Sequence, residues 1–199
     1  MVIFLSNEKE GIIEGEKERR EEEEIAEKLR DLLKPIFPDF RILSQEPLIY
    51  HIWIVKEGKF INQTFRQDLI IYDESIPLVG MELKINGYNT DKILTSAGKV
   101  GKLKNIYPHL QYGLIVIKSE RKEPKKGKFP VGIPTKFFED GAIFDFTLIM
   151  PKYSDITQLV EILKIQIKNG RIMNQIFSKF KYNCQFKSFS KIIDVVKSD

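Results

Sequence analysis

The chain is organised around Gln67-Asp68-Leu69-Ile70-Ile71-Tyr72-Asp73-Glu74-Ser75-Ile76-Pro77-Leu78-Val79-Gly80-Met81-Glu82-Leu83-Lys84-Ile85. It reads as two strands joined by a polar turn between Asp73 and Pro77. Alternate side chains of a strand share a face. Val79, Met81, Leu83 and Ile85 therefore make one apolar face, and Gly80, Glu82, Lys84 and Asn86 the other. Pairing through the turn brings Asp68, at the mouth of the first strand, towards Glu82 and Lys84. Two carboxylates and a backbone carbonyl form a hard oxygen site that suits magnesium. A lysine beside them can orient or deprotonate a water.

Asp68, thirteen intervening residues and then Glu82-x-Lys84 resembles the signature of the PD-(D/E)XK nuclease superfamily. That superfamily includes restriction endonucleases, Holliday-junction resolvases and repair nucleases. The resemblance spans roughly residues 16–118, and departs from the signature at Gln67, where the motif has proline. It implies an α/β fold with a restriction-endonuclease-like core, a central mixed β-sheet flanked by helices. It also implies metal-dependent hydrolysis of DNA phosphodiesters, of the junction-resolvase or the restriction type. Asp68, Glu82 and the Leu83 carbonyl would hold Mg2+, with Mn2+ as a substitute, and Lys84 would hold or activate the attacking water. Many members carry a further glutamate on the first helix, for which Glu22 is the candidate here. A homodimer is implied where two strands are cut.

Two other readings stay open. Alternating charge on a strand is the ordinary pattern of a solvated face or a cross-strand ion pair, so Glu82 and Lys84 could be a surface pair on a plain α/β interaction module. A non-catalytic nucleic-acid-binding protein on the same fold is the other.

Outward from the hairpin, Glu16 to about Lys34 predicts a helix with an apolar stripe of Ile25, Ala26, Leu29, Leu32 and Leu33, closed by Pro35 and Pro38. Extended backwards, the stripe reaches Glu18, Glu21 and Glu22. Leu48–Lys56 is β-branched and aromatic and predicts a strand. After the hairpin, Asp91 to Asn105 predicts a helix with Ile93, Ala97 and Val100 on one side and Lys99, Lys102 and Lys104 near the other. Lys99 and Lys102 are candidate DNA contacts, and Gly98 and Gly101 would permit close approach of a phosphate backbone. Gln111–Lys118 predicts a buried strand, so the helix before it makes a right-handed crossover. The polar loop that follows offers Arg121, Lys125 and Lys126 as further DNA contacts. Gly141–Met150 predicts another strand. Asp155 to about Phe180 predicts a helix that Asn169-Gly170 could break.

Composition sets the remaining bounds. At 199 residues and 42% hydrophobic, the chain suits one domain with its own core, here about 16–150, and a helical, basic and aromatic extension, about 151–199. Net charge is only +4, yet no acidic residue lies between Ile162 and Ile193, an asymmetry that favours a polyanionic partner. A single cysteine excludes an internal disulfide and a cysteine-based metal centre. His51 and His109 read as packing or surface residues. With neither a signal peptide nor a membrane span in evidence, an intracellular, cytoplasmic location is expected.

Overall fold

The computed structural model describes residues 3–54, 60–87, 90–118 and 143–179. It is α/β. Helix α1 (Ile3–Leu33) leads into strands β1 (Arg41–Ile54), β2 (Phe60–Asp73) and β3 (Ile76–Ile85). Helix α2 (Thr90–Ile106), strands β4 (Gln111–Ile117) and β5 (Phe146–Met150), and helix α3 (Thr157–Lys179) follow. The five strands form one mixed sheet in the order β1-β2-β3-β4-β5. The first three make an antiparallel meander, and β3, β4 and β5 are parallel.

The alternation predicted for β3 places its two faces in two layers. Val79, Met81, Leu83 and Ile85 pack with Ile25, Ala26, Leu29 and Leu33 of α1 and with Leu159, Leu163 and Ile167 of α3. On the opposite face α2 contributes Val100 and Leu103, which pack on Ile70, Tyr72, Leu110 and Tyr112, while its Ile93 meets Leu114 and Val116. Every residue of β4 is buried, as expected of a central parallel strand covered on both faces. Each fully buried Leu or Ile in these layers contributes about 1.5–3 kcal/mol.

Several boundaries differ from the sequence reading. Helix α1 begins at Ile3 rather than Glu16, and Leu32 of its predicted stripe is exposed. Strand β1 begins at Arg41 rather than Leu48 and takes in Pro47. Proline is tolerated because β1 is an edge strand, where a missing N–H leaves no ladder bond unmade. The predicted strand from Gly141 starts at Phe146, and residues 141 and 142 lie outside the described residues. Helix α3 is continuous through Asn169-Gly170. There a Cβ on residue 170 would stand 3.1 Å from the Leu78 carbonyl oxygen, so glycine lets the helix lie against β3. Asp155 accepts a hydrogen bond from the Thr157 N–H and caps that helix.

His109 sits in the core as a packing residue. It is 8% exposed, its Nε2 has no hydrogen-bond partner, and its ring is bonded to the Pro77 carbonyl. Burial lowers its pKa below the usual 6.5, against the opposing effect of that carbonyl. The unfolded chain thus takes up a proton near pH 6.5 that the folded chain resists. Stability should be level above that pH and decline as pH falls through the window below it. Urea unfolding midpoints between pH 8 and pH 5, compared with those of His109→Gln, measure this. The variant should show a flatter profile; identical slopes would mean that His109 is not the titrating group.

Candidate active site

Strand β2 pairs with β1 from Tyr72 opposite Arg41 to Phe60 opposite Ile54, with a shift of register between Ile49 and His51. Its pairing with β3 ends at Leu69 opposite Met81. Beyond that point β1 and β2 continue as a two-stranded ribbon, and a gap opens between β2 and β3. Asp68 stands at the fork. Its Oδ2 accepts the Leu83 N–H at 2.7 Å, so a side chain takes the ladder position that a β2 carbonyl would have filled. Within a strand, one residue's N–H and C=O point to the same side. The Leu83 carbonyl therefore faces the same gap.

The second oxygen of Asp68 accepts a hydrogen bond from Gln45 Nε2 at 3.2 Å. Gln45 holds that position from a left-handed backbone conformation, φ 56°, uncommon for a residue with a Cβ. Burial, then the charge of Glu82, raises the Asp68 pKa, against the Leu83 N–H and Lys84. The two carboxylates thus repel one another in a largely dehydrated place.

Lys84 is a cation beside them, paired with Glu82. Its Nζ lies 3.0 Å from Glu82 Oε1 and 3.6 Å from Glu22 Oε1 of α1. Burial lowers its pKa, but Glu82, Glu22 and Asp68 outweigh burial and the net shift is upward. A lysine serving as general base needs the opposite shift. The upward shift favours the charged form of Lys84 and suits it to an electrostatic role.

Helix α2 closes the site from the other layer. Ser96 Oγ donates to Glu82 Oε1 at 3.4 Å, and Lys99 Nζ stands 3.7 Å from the same oxygen. Beneath lies Tyr112 of β4, fully buried. Its hydroxyl donates to Gln67 Oε1 and is within bonding reach of Glu82. Gln67 in turn donates to the Phe65 carbonyl at 2.8 Å. Burial, then Glu82 and Asp68, raise the Tyr112 pKa far above its ordinary value, so it remains a donor.

Of the residues singled out from sequence, Asp68, Glu82, Lys84, Glu22 and the Leu83 backbone converge here. Lys99 turns to Glu82, and Lys102 is exposed further along α2. Gly98 is open on its Cβ side, whereas a Cβ on residue 101 would meet Ile143 at 3.1 Å. Arg121, Lys125 and Lys126 lie outside the described residues. Gln45, Gln67, Ser96 and Tyr112 were not anticipated. Tyr112 falls in an unbroken apolar run that has no period to show which way it points, and Ser96 carried no motif. Gln67 had registered only as the residue in place of proline.

The donor set fits a magnesium ion. It consists of hard oxygens, and the mutual repulsion of Asp68 and Glu82 is what a divalent cation would relieve. With two carboxylates at the fork it would keep several waters as ligands, and among the described residues no group of three or more His, Cys, Asp or Glu forms a metal site. No protein-family model matches the chain, and no curated protein matches it.

Proposed function

We propose that the protein is a magnesium-dependent deoxyribonuclease built on a restriction-endonuclease-like core. The observation that supports this best is the convergence of Asp68, Glu82, Lys84 and Glu22 where β2 leaves β3. A surface ion pair would not need to be buried, whereas Glu82 is 6% exposed and Asp68 is tied to the backbone of the Glu82 strand. The sheet order and the helices on both faces are compatible with the core that the motif implies.

In this reading Asp68, Glu82 and the Leu83 carbonyl hold the metal. The metal, when bound, supplies charge neutralisation at the scissile phosphate and a lowered pKa for a coordinated water. Lys84 supplies fixed positive charge beside the developing charge of the transition state. Glu22 keeps Lys84 aimed at Glu82. Lys99 adds a second cation on the α2 side, within reach of a phosphate oxygen. Tyr112 and Gln67 hold the floor of the site rigid. A double-strand cut would use two copies of the chain, one site per strand. No helix of the described residues is long and apolar enough to cross a membrane.

The test is cleavage of supercoiled plasmid, single-stranded DNA and a synthetic four-way junction, with Mg2+, with Mn2+ and with EDTA. Cutting that requires the metal is expected, and the preferred substrate separates a junction resolvase from a restriction-type enzyme. Intact substrates under every condition would remove the nuclease reading. Retained DNA binding in that case would leave a non-catalytic DNA-binding protein.

A further inference from the structure

The ribbon that β1 and β2 form beyond the fork carries a feature that the phosphodiester chemistry does not use. Tyr50 and Phe65 stack face to face, centroids 3.7 Å apart and planes 10° from parallel. Both are half-buried, on the part of the hairpin that has lost its third strand. Two lysines of α2 stand over the rings. Lys102 Nζ is 5.3 Å from the Tyr50 centroid and 5.9 Å from that of Phe65, and Lys99 Nζ is 5.9 Å from Phe65. Lys99 is also the lysine that reaches Glu82. The aromatic pair and the candidate site are therefore connected through one ammonium group. Thr64 and Arg66, either side of Phe65, are exposed.

We propose that the Tyr50–Phe65 stack, with Lys102 and Lys99 above it, is a docking platform for unpaired nucleotides that leads a single strand towards Glu82 and Lys84. It rests on the nucleic-acid substrate proposed above and narrows it to DNA with a single-stranded segment. Every base has a π-face that can extend an aromatic stack, and that face is hidden inside a duplex. The adjoining lysines offer phosphate contacts beside the rings, so bases and backbone are both accommodated. Lysine over an aromatic face is a weak attraction at exposed sites. An arriving base and phosphate can therefore displace it.

The test is fluorescence anisotropy of the full chain in EDTA, where nothing is cut, against a labelled single strand and the same sequence as duplex. Wild type should prefer the single strand. Phe65→Leu and Tyr50→Leu should each weaken that binding about tenfold or more, as the loss of one stacked base predicts. Phe65→Trp should retain it. Lys102→Gln, at an exposed position, should lower the salt dependence by about 0.7 in log–log slope, the share of one phosphate contact. Thermal melts of each variant check that the fold stands. A wild-type preference for duplex, no binding at all, or wild-type affinity in both Phe65→Leu and Lys102→Gln would overturn the platform. Single-strand binding by wild type without magnesium-dependent cleavage would leave the platform and remove the nuclease. Cleavage by wild type alongside unaffected variants would do the reverse.

Discussion

Asp68→Asn should lose at least about a hundredfold in magnesium-dependent cleavage, the scale on which removing one preorganised electrostatic group acts, while the fold remains. The substitution is chosen for what it keeps. An asparagine oxygen can still accept the Leu83 N–H that Asp68 now accepts at 2.7 Å, so the ladder position at the fork stays filled. What disappears is the negative charge, and with it the oxygen that Gln45 Nε2 meets; the Gln45 amide turns over to present its own oxygen to the new NH2 group. Because Glu82 opposes that charge in a dehydrated place, the metal-free variant should be at least as stable as the wild type. Magnesium should separate the two proteins a second way. A ligand that binds only the folded state raises its melting temperature, so added Mg2+ should stabilise wild type and not Asp68→Asn. Cleavage assays and thermal melts with and without Mg2+ read both effects. Glu82→Gln should behave alike in cleavage. Wild-type cleavage by Asp68→Asn would end the assignment of this carboxylate to the metal.

Gly80→Ala should destabilise the protein by about 1–3 kcal/mol, the range for an overfilled core. A Cβ at residue 80 would come within 2.7 Å of Tyr112 Cε2 and 2.8 Å of Cδ2. That ring is fully buried and its hydroxyl is bonded to Gln67, so it has no free direction in which to yield. Residue 80 precedes Glu82 on the same face of β3, and a displaced ring would disturb the floor of the candidate site. Gly98→Ala is the contrast. Nothing lies within 4 Å of its Cβ, and alanine in an exposed helix is favoured over glycine by about 1 kcal/mol. Urea unfolding should move the two midpoints in opposite directions. An unchanged midpoint for Gly80→Ala would show that the Tyr112 ring is free to move aside.

What the sequence could disclose follows from which forces act locally. The meander of β2 and β3 was legible because a period of two is imposed by the strand itself, and one apolar face had to be buried. That same period put Glu82 and Lys84 on a shared side. Extending the apolar stripe of α1 backwards reached Glu22, since a helix's periodicity continues past its apolar residues. The start of α1 was not legible: Gly11 and Gly15 weigh against a helix, and the segment before Glu16 has no clear stripe. The continuity of α3 was hidden for a different reason. Asn169-Gly170 carries a helix-stop signal in isolation, and only the approach of Leu78 explains why a glycine is needed there. Tyr112, Ser96 and Gln45 belong to three separate elements, and their meeting at the Asp68–Glu82 pair depends on how those elements pack. No local pattern encodes that.

Asp68 is held by two neutral donors at once, the Leu83 N–H on one oxygen and the Gln45 amide on the other. A carboxylate free to rotate must give up that freedom when it takes a ligand. Here the rotation is already arrested in the folded chain. The entropy of ordering this side chain, part of a cost that reaches about 2 kcal/mol for the longest ones, falls on folding and not on binding. A cation bound as proposed would meet an oxygen whose direction was set in advance by a backbone amide and by the unusual backbone turn at Gln45.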